Sequence, residues 1–390
     1  MVTWGECPGG AKDGRGARGR GLRSPGALGL TVKIRNFKSI NKADVELRNI
    51  NILIGSNGVG KSNFIAFFEL LSKIYNQRLG EFVLERGGAD KLLHNGSKVS
   101  SSISGLFNFN DTNAFFFSLK PSAGDMLYIE HTGDYFNKDK DEQYLYGAWS
   151  KTFWDKTTKE SEMINMNQWR AGYVKSFLKS FTVYHFHDTS LNSPMRKPCR
   201  LDDNLMLRHD ASNLPAFLYK LQQTTPQQFK MIEAVIRIIA PYFKRFTLQP
   251  RELAPDTIVL TWEENGSDMY MDATNLSDGT LRFVALATLL LQPEPPQTII
   301  IDEPELGLHP AAINMLAGLI RKAAANGTQV IIATQSVNLV NCFEPEDVLV
   351  SDRENGTTIF RNLDSSDLEN WLNDYGIGTI WEKNIIGGQP

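Results

Sequence analysis

Two short segments carry residue types that could act on a phosphate ester. Gly55-Ser56-Asn57-Gly58-Val59-Gly60-Lys61-Ser62 fits G-x-x-x-x-G-K-S in full. It lies between an apolar run, Asn51–Ile54, and a helical pattern from Lys61 to about Tyr75. The glycines let the backbone curl so that its N–H groups face phosphate oxygens at the positive end of the following helix. Lys61 would bring a point charge to the β- and γ-phosphates, and Ser62 a hydroxyl for Mg²⁺, with Asn63 closing the nucleotide-binding set. A chance glycine-rich turn would not require this strand-loop-helix context.

The second segment is Thr298-Ile299-Ile300-Ile301-Asp302-Glu303. An apolar strand buried in a parallel sheet delivers carboxylates at its C-terminal end, where ligands of α/β sheets bind. Asp302 would hold Mg²⁺ directly or through water, and Glu303 would orient or deprotonate an attacking water. Alone, an apolar run ending in Asp-Glu could be a solvated strand end; the upstream phosphate loop gives it a role. A third element, Leu276-Ser277-Asp278-Gly279-Thr280-Leu281-Arg282, opens a helix. Taken by itself, Ser277 is also explained as a plain helix cap.

These segments need a scaffold to position them. Val32–Phe37 and Ala43–Leu47 alternate apolar and polar residues as half-buried strands do. Ile103–Phe109, Ala114–Leu119 and Met126–His131 have the pattern of a β-meander, and the aromatic, polar stretch Tyr144–Trp169 reads as partly helical. Leu214–Ala240 reads as helices broken near Thr225-Pro226, followed by strands Phe246–Gln249, Thr257–Trp262 and Met269–Ala273. The last third alternates helix and strand (helix after Gly279, strand Thr298–Ile301, helix from Pro310, strand Gln329–Ala333), which implies a parallel sheet covered on both faces. Met1–Leu30, glycine- and arginine-rich without apolar periodicity, reads as a disordered or non-native extension.

Bulk properties narrow the class. The chain has 390 residues and a net charge of -3, so any polyanion site must be a local patch. Cys7, Cys199 and Cys342 lack metal-ligand spacing, which suits a reducing compartment and a cytoplasmic location, and no apolar run could span a bilayer.

With these motifs together, the chain resembles the ABC-type AAA ATPases of the RecF/OLD/SMC-like group, in particular the compact members found in bacterial anti-phage defence systems. Leu276-Ser277-Asp278-Gly279-Thr280 looks like a variant of their signature. Ile34-Arg35-Asn36-Phe37-Lys38-Ser39-Ile40 resembles their first strand, and Asp302 to Pro310 their extended Walker B and D-loop segment. The resemblance implies an α/β fold: a P-loop NTPase ABC-type head with a mixed core sheet, an antiparallel β subdomain and a helical insertion. It divides the chain into a first part of the core at 31–100, an insertion or lid at 101–270, and a second part of the core at 271–390. It further implies ATP and Mg²⁺ as cofactors, with Lys38 and Ser39 near the nucleotide and Gly55–Ser62 on its phosphates. Ser277 and Gly279 would contact the γ-phosphate of a second subunit's ATP, Arg282 would support that loop, and His309 would lie near the partner. The implied partners are a second copy in an ATP-sandwich homodimer, a separate nuclease or other effector, and double-stranded DNA, but no membrane.

Several residues depart from that pattern or stand outside it. Where many ABC ATPases place a γ-phosphate histidine, this chain has Thr334-Gln335-Ser336; Gln335 can donate and accept hydrogen bonds but cannot take a positive charge. His94 stands in a plausible Q-loop region but reads as a surface turn. His185 and His187, one face of an alternating segment, invite a metal reading with Asp188, although a structural role accounts for them as well. Lys175, Lys179, Arg196, Lys197 and Arg200 would form a basic patch or simply a solvated face. The stretch after Gln335 is too short for a TOPRIM-like nuclease domain, and no heptad array supports long coiled-coil arms. An ATP-binding scaffold with little hydrolysis and a transporter's nucleotide-binding subunit remain the alternatives.

Overall fold

The computed structural model describes residues 29–109, 113–137, 149–165, 169–267, 269–368, 371 and 375–388. Most of the glycine-rich N-terminal stretch, residues 1–28, lies outside the described residues. The chain forms two compact units. Among the described residues, one holds those up to Asn51 and those within 55–181 and 349–362; the other holds those within 52–54 and 182–348 and from 363 onward.

The first unit is built on an antiparallel sheet with spatial order Ile40–Leu47, Leu30–Phe37, Ile103–Phe109, Asn113–Ser122, Met126–Asn137, Trp149–Thr158. Ile103–Phe109 is found as expected, and the other expected strands are longer, because cross-strand pairing carries regular backbone past the apolar residues that reveal it. Part of the stretch read as partly helical is the strand Trp149–Thr158; a 3-10 turn follows at Met163–Asn165, and the α-helix begins at Trp169 (Trp169–Ser180). Its Trp, Phe and repeated Thr favour a pleated surface, and the open edge of Met126–Asn137 supplies the pairing. Helix Lys61–Tyr75 packs an aromatic core: Phe67 lies 5.3 Å from Phe37, 5.8 Å from Phe107 and 5.6 Å from Phe117 between ring centres. The hairpin Val348–Glu354 and Thr357–Asn362, turning at Asn355-Gly356, belongs to this unit from Leu349 on.

In the second unit, Thr298–Asp302 runs parallel to Gln329–Ala333 on one side and to Thr182–Tyr184 on the other. Ile52–Ile54 flanks Gln329–Ala333, with the Thr334 amide donating to the Leu53 carbonyl at 3.0 Å. Ile299, Ile300, Ile301 and Val330–Ala333 are fully or almost fully buried, as expected of strands covered on both faces. Helices Pro226–Ile239, Asp278–Leu291 and Pro310–Ala325 pack in sequence. The strands expected after Ala240 are displaced to Phe243–Phe246, Thr261–Glu264 and Tyr270–Asp272, which pair around the buried Trp262. A separate pair, Pro250–Arg251 with Ala254–Ile258, also joins Cys199–Arg200.

Phe67 is completely buried among three other rings, so Phe67→Ala should cost about 3–5 kcal/mol through lost burial and an unfilled cavity. The loss should appear as a lower chemical-denaturation midpoint, while the exposed Leu84→Ala should leave the midpoint nearly unchanged.

Candidate functional site

In the first unit the phosphate loop begins directly after strand Ile50–Ile54 and ends at helix Lys61–Tyr75. Gly60, the residue before that helix, has φ 117°, and a Cβ there would collide with the Thr358 and Ser39 hydroxyls. Only glycine fits this position. The Thr358 hydroxyl donates to the Val59 carbonyl (2.6 Å) and lies 2.7 Å from Ser39 Oγ, which also accepts from Asn63 Nδ2 at 2.7 Å. Ser39 and Asn63 are thereby tied to the loop's frame. The Lys61 ammonium is buried and donates to the carbonyls of Gly55 and Ser56 (3.0 Å to the latter). Ser56 is half-buried and Asn57 and Ser62 are exposed. The curl, the buried ammonium and the accessible Ser62 hydroxyl at the helix start fit a polyphosphate with its Mg²⁺.

Lys38 has φ 49° and sets its ammonium 5.8 Å from the centre of the Phe37 ring. Burial, aided by the charge of Arg86, lowers its pKa from the ordinary lysine value. His94 is not a surface turn: it is buried, and its Nδ1 lies 2.7 Å from the Lys38 carbonyl. It fixes the Lys38 backbone.

In the second unit, Asp302 ends its strand and Glu303 follows at φ 41°. A left-handed glutamate is uncommon and costs of order 1–3 kcal/mol, so the surroundings must hold it. Two contacts do so: the Glu303 amide donates to the Ala333 carbonyl at 2.8 Å, and Gln335 Nε2 donates to Glu303 Oε1. Gln335 thus meets Glu303, the carboxylate assigned to water. Glu305, which sequence reasoning passed over, is buried beneath them. Its Oε1 accepts from the Thr334 hydroxyl at 2.5 Å and from the Gln335 amide at 3.3 Å. Burial raises its carboxyl above the ordinary range, partly offset by the Thr334 hydrogen bond.

Ser277 caps helix Asp278–Leu291, accepting from the Thr280 amide at 3.2 Å. The plain-cap reading therefore describes its contact within the chain. A Cβ on Gly279 would collide with the Gly307 carbonyl, so the signature-like segment lies against the segment after Glu303. Arg196 is not part of a basic patch. Its guanidinium donates to the carbonyls of Ala273 and Leu276 (3.1 Å to the latter) and pairs with Asp278 at 2.7 Å, which fixes the approach to Ser277. Arg200 pairs with Asp202 at 2.6 Å, and Lys175 donates to the Ile164 carbonyl at 2.8 Å. Arg282 donates to the carbonyls of Phe186 and His187, both at 2.8 Å. His309 caps helix Pro310–Ala325.

His185 and His187 do share a face, but their acidic neighbour is Asp302. Asp188, the partner expected from the sequence, instead accepts from the Ser190 amide at 3.1 Å and hydroxyl at 2.7 Å. Burial, and secondarily the charge of Arg282, keeps the His187 pKa below the ordinary imidazole value.

Residues 50–341 match the family model described as "AAA domain, putative AbiEii toxin, Type IV TA system". That match spans most of the chain, which belongs to this AAA family. Among curated proteins none matches. Among solved structures, a SmcHead bound to the C-winged helix domain of ScpA is similar to it with TM-score 0.57 at 15% identity, covering 89% of this chain and 99% of that one. An Smc head domain with an extended coiled coil, bound to the C-terminal domain of ScpA derived from Pyrococcus furiosus, gives TM-score 0.54 at 13% identity with the same coverage. The protein is thus an AAA domain whose α/β P-loop fold is similar to that of SMC heads.

Glu305 also gives the site a pH signature. A carboxyl raised in the fold keeps its proton while the unfolded chain has lost it, so its share of stability is complete below the ordinary glutamate pKa and is lost as pH rises through the raised value. Glu305→Gln should therefore be more stable than wild type above that window, and its denaturation midpoint should fall less steeply with rising pH across it.

Proposed function

We propose that this protein binds and hydrolyses Mg²⁺–ATP, and that two copies pair around the nucleotide to control a separate effector. On this reading Gly55–Ser62 hold the phosphates, with Lys38, Ser39 and Asn63 bordering the nucleotide. Ser62 and Asp302 hold Mg²⁺, which when bound neutralises phosphate charge and orients the reacting group. Glu303 takes the proton of the attacking water, Gln335 fixes the orientation of that carboxylate, and Ser277 and Gly279 meet the partner's γ-phosphate. The three-part division of the chain at 101 and 271 assigns the ATPase core to its two ends and leaves the centre to contact the effector.

The observation that carries hydrolysis is Glu303 itself. It stands one residue beyond Asp302 in a costly backbone conformation, with its carboxylate gripped by Gln335. A carboxylate held against strain is worth its cost where its direction matters. A nuclease effector and a role in DNA-linked anti-phage defence or repair follow from family likeness alone. The cytoplasm is the proposed location; among the described residues no helix is long and apolar enough to cross a membrane.

Glu303→Gln tests the reading. It should bind ATP with near wild-type affinity, reduce turnover at least about 100-fold, and accumulate as an ATP-bound dimer in sedimentation velocity. Lys61→Ala should lose nucleotide binding and stay monomeric under the same conditions. Unchanged turnover in Glu303→Gln would leave a non-hydrolysing ATP-binding scaffold as the better description.

A further inference from the structure

We infer that His185, His187 and Asp302 form a binding site for one divalent first-row transition ion, occupied without nucleotide. One ring nitrogen from each imidazole and one Asp302 carboxylate oxygen all lie within 4.8 Å of one another, and all three residues are half-buried. The sheet explains the meeting. Strands Thr182–Tyr184 and Thr298–Asp302 run parallel in the register Ile299 to Thr182, Ile300 to Val183 and Ile301 to Tyr184. One further step brings Asp302 level with His185, and period-two alternation returns His187 to the same face.

The segment is also anchored independently of any ion. Phe186 is buried, Arg282 holds the carbonyls of Phe186 and His187, and the His185 amide donates to the His209 carbonyl at 2.8 Å. A tetrahedral ion with bonds of about 2.0–2.1 Å sets its donors about 3.3 Å apart, so the side chains would have to draw closer around it. Two imidazoles with one carboxylate select cobalt, zinc or a similar ion over Mg²⁺, which prefers an all-oxygen shell. Three protein ligands leave coordination positions open to water or a phosphate oxygen. Arg282 places a positive charge near His187, and Glu303 a negative one.

The site shares Asp302 with the Mg²⁺ role proposed above, but its occupancy does not depend on ATP binding, so the two readings fail separately. The test is titration of Co²⁺ into the nucleotide-free full chain, followed by visible d–d absorption and calorimetry. One ion per chain is expected, with excess Mg²⁺ leaving the titration in place. His185→Ala, His187→Ala, His187→Asn and Asp302→Asn should each weaken binding at least about tenfold, and His131→Ala should not change it. Lys61→Ala should still take up Co²⁺ even though its nucleotide binding is lost. Failure to saturate at one ion, displacement by Mg²⁺, or an isotherm untouched in either histidine variant would overturn the assignment.

Discussion

The chemistry of the second unit depends on one constraint: strands that run parallel must finish at the same edge. Thr298–Asp302 is hydrogen-bonded between Gln329–Ala333 and Thr182–Tyr184. Asp302 therefore emerges beside the residues that follow both neighbours, Thr334-Gln335 on one side and His185 to His187 on the other. No side-chain attraction is needed to bring these polar groups together. Burial of the isoleucines, worth roughly 25 cal/mol per Å² of apolar surface, favours this register.

Main-chain carbonyls then do most of the local organising. Arg282 binds two of them behind the histidine segment, Arg196 binds two before Ser277, and Lys61 binds two within its own loop. A charged donor on a neutral carbonyl avoids the rigid pairing geometry of an ion pair while satisfying backbone that lies outside regular structure. Exposed ion pairs such as Arg200–Asp202 or Arg78–Glu81 contribute little by comparison. The basic residues of the central region thus divide by environment. Arg196, almost wholly buried, is architectural, and Arg200, paired and exposed, sits on a solvated face.

Much of this was legible in the sequence because it is local. The phosphate loop, its helix from Lys61 to Tyr75, and the strands ending at Ala333 and Asp302 follow from glycine spacing and unbroken apolar runs. Cross-chain meetings were not legible. Nothing near Thr358 says that its hydroxyl will bond to the Val59 carbonyl, because that contact depends on a hairpin almost 300 residues downstream. The Asn355-Gly356 pair was the available sign of that hairpin. His94 looked like a turn residue because Asn95-Gly96 follows it, yet the adjoining segment bridges to Phe37 and buries the ring. The histidine pair is visible in the sequence, but the acid nearest it in the chain is Asp188, whereas the parallel register supplies Asp302 from the adjacent strand.

Gln335 shows how such a neighbourhood can differ in kind from one built on histidine. An imidazole beside a catalytic carboxylate titrates near neutrality, so its grip varies with pH. An amide does not titrate, and its Nε2 donates to Glu303 whatever the pH. Burial raises the pKa of the acid packed there, Glu305, above the ordinary carboxyl range, which favours its neutral form. Thr334 and the Gln335 amide hold Glu305 from one side while the Gln335 side chain holds Glu303 from the other, so the two carboxyls are linked through a single residue. A buried acid whose pKa is raised and a non-titrating amide thus flank Glu303, which with Asp302 borders the end of the central strand.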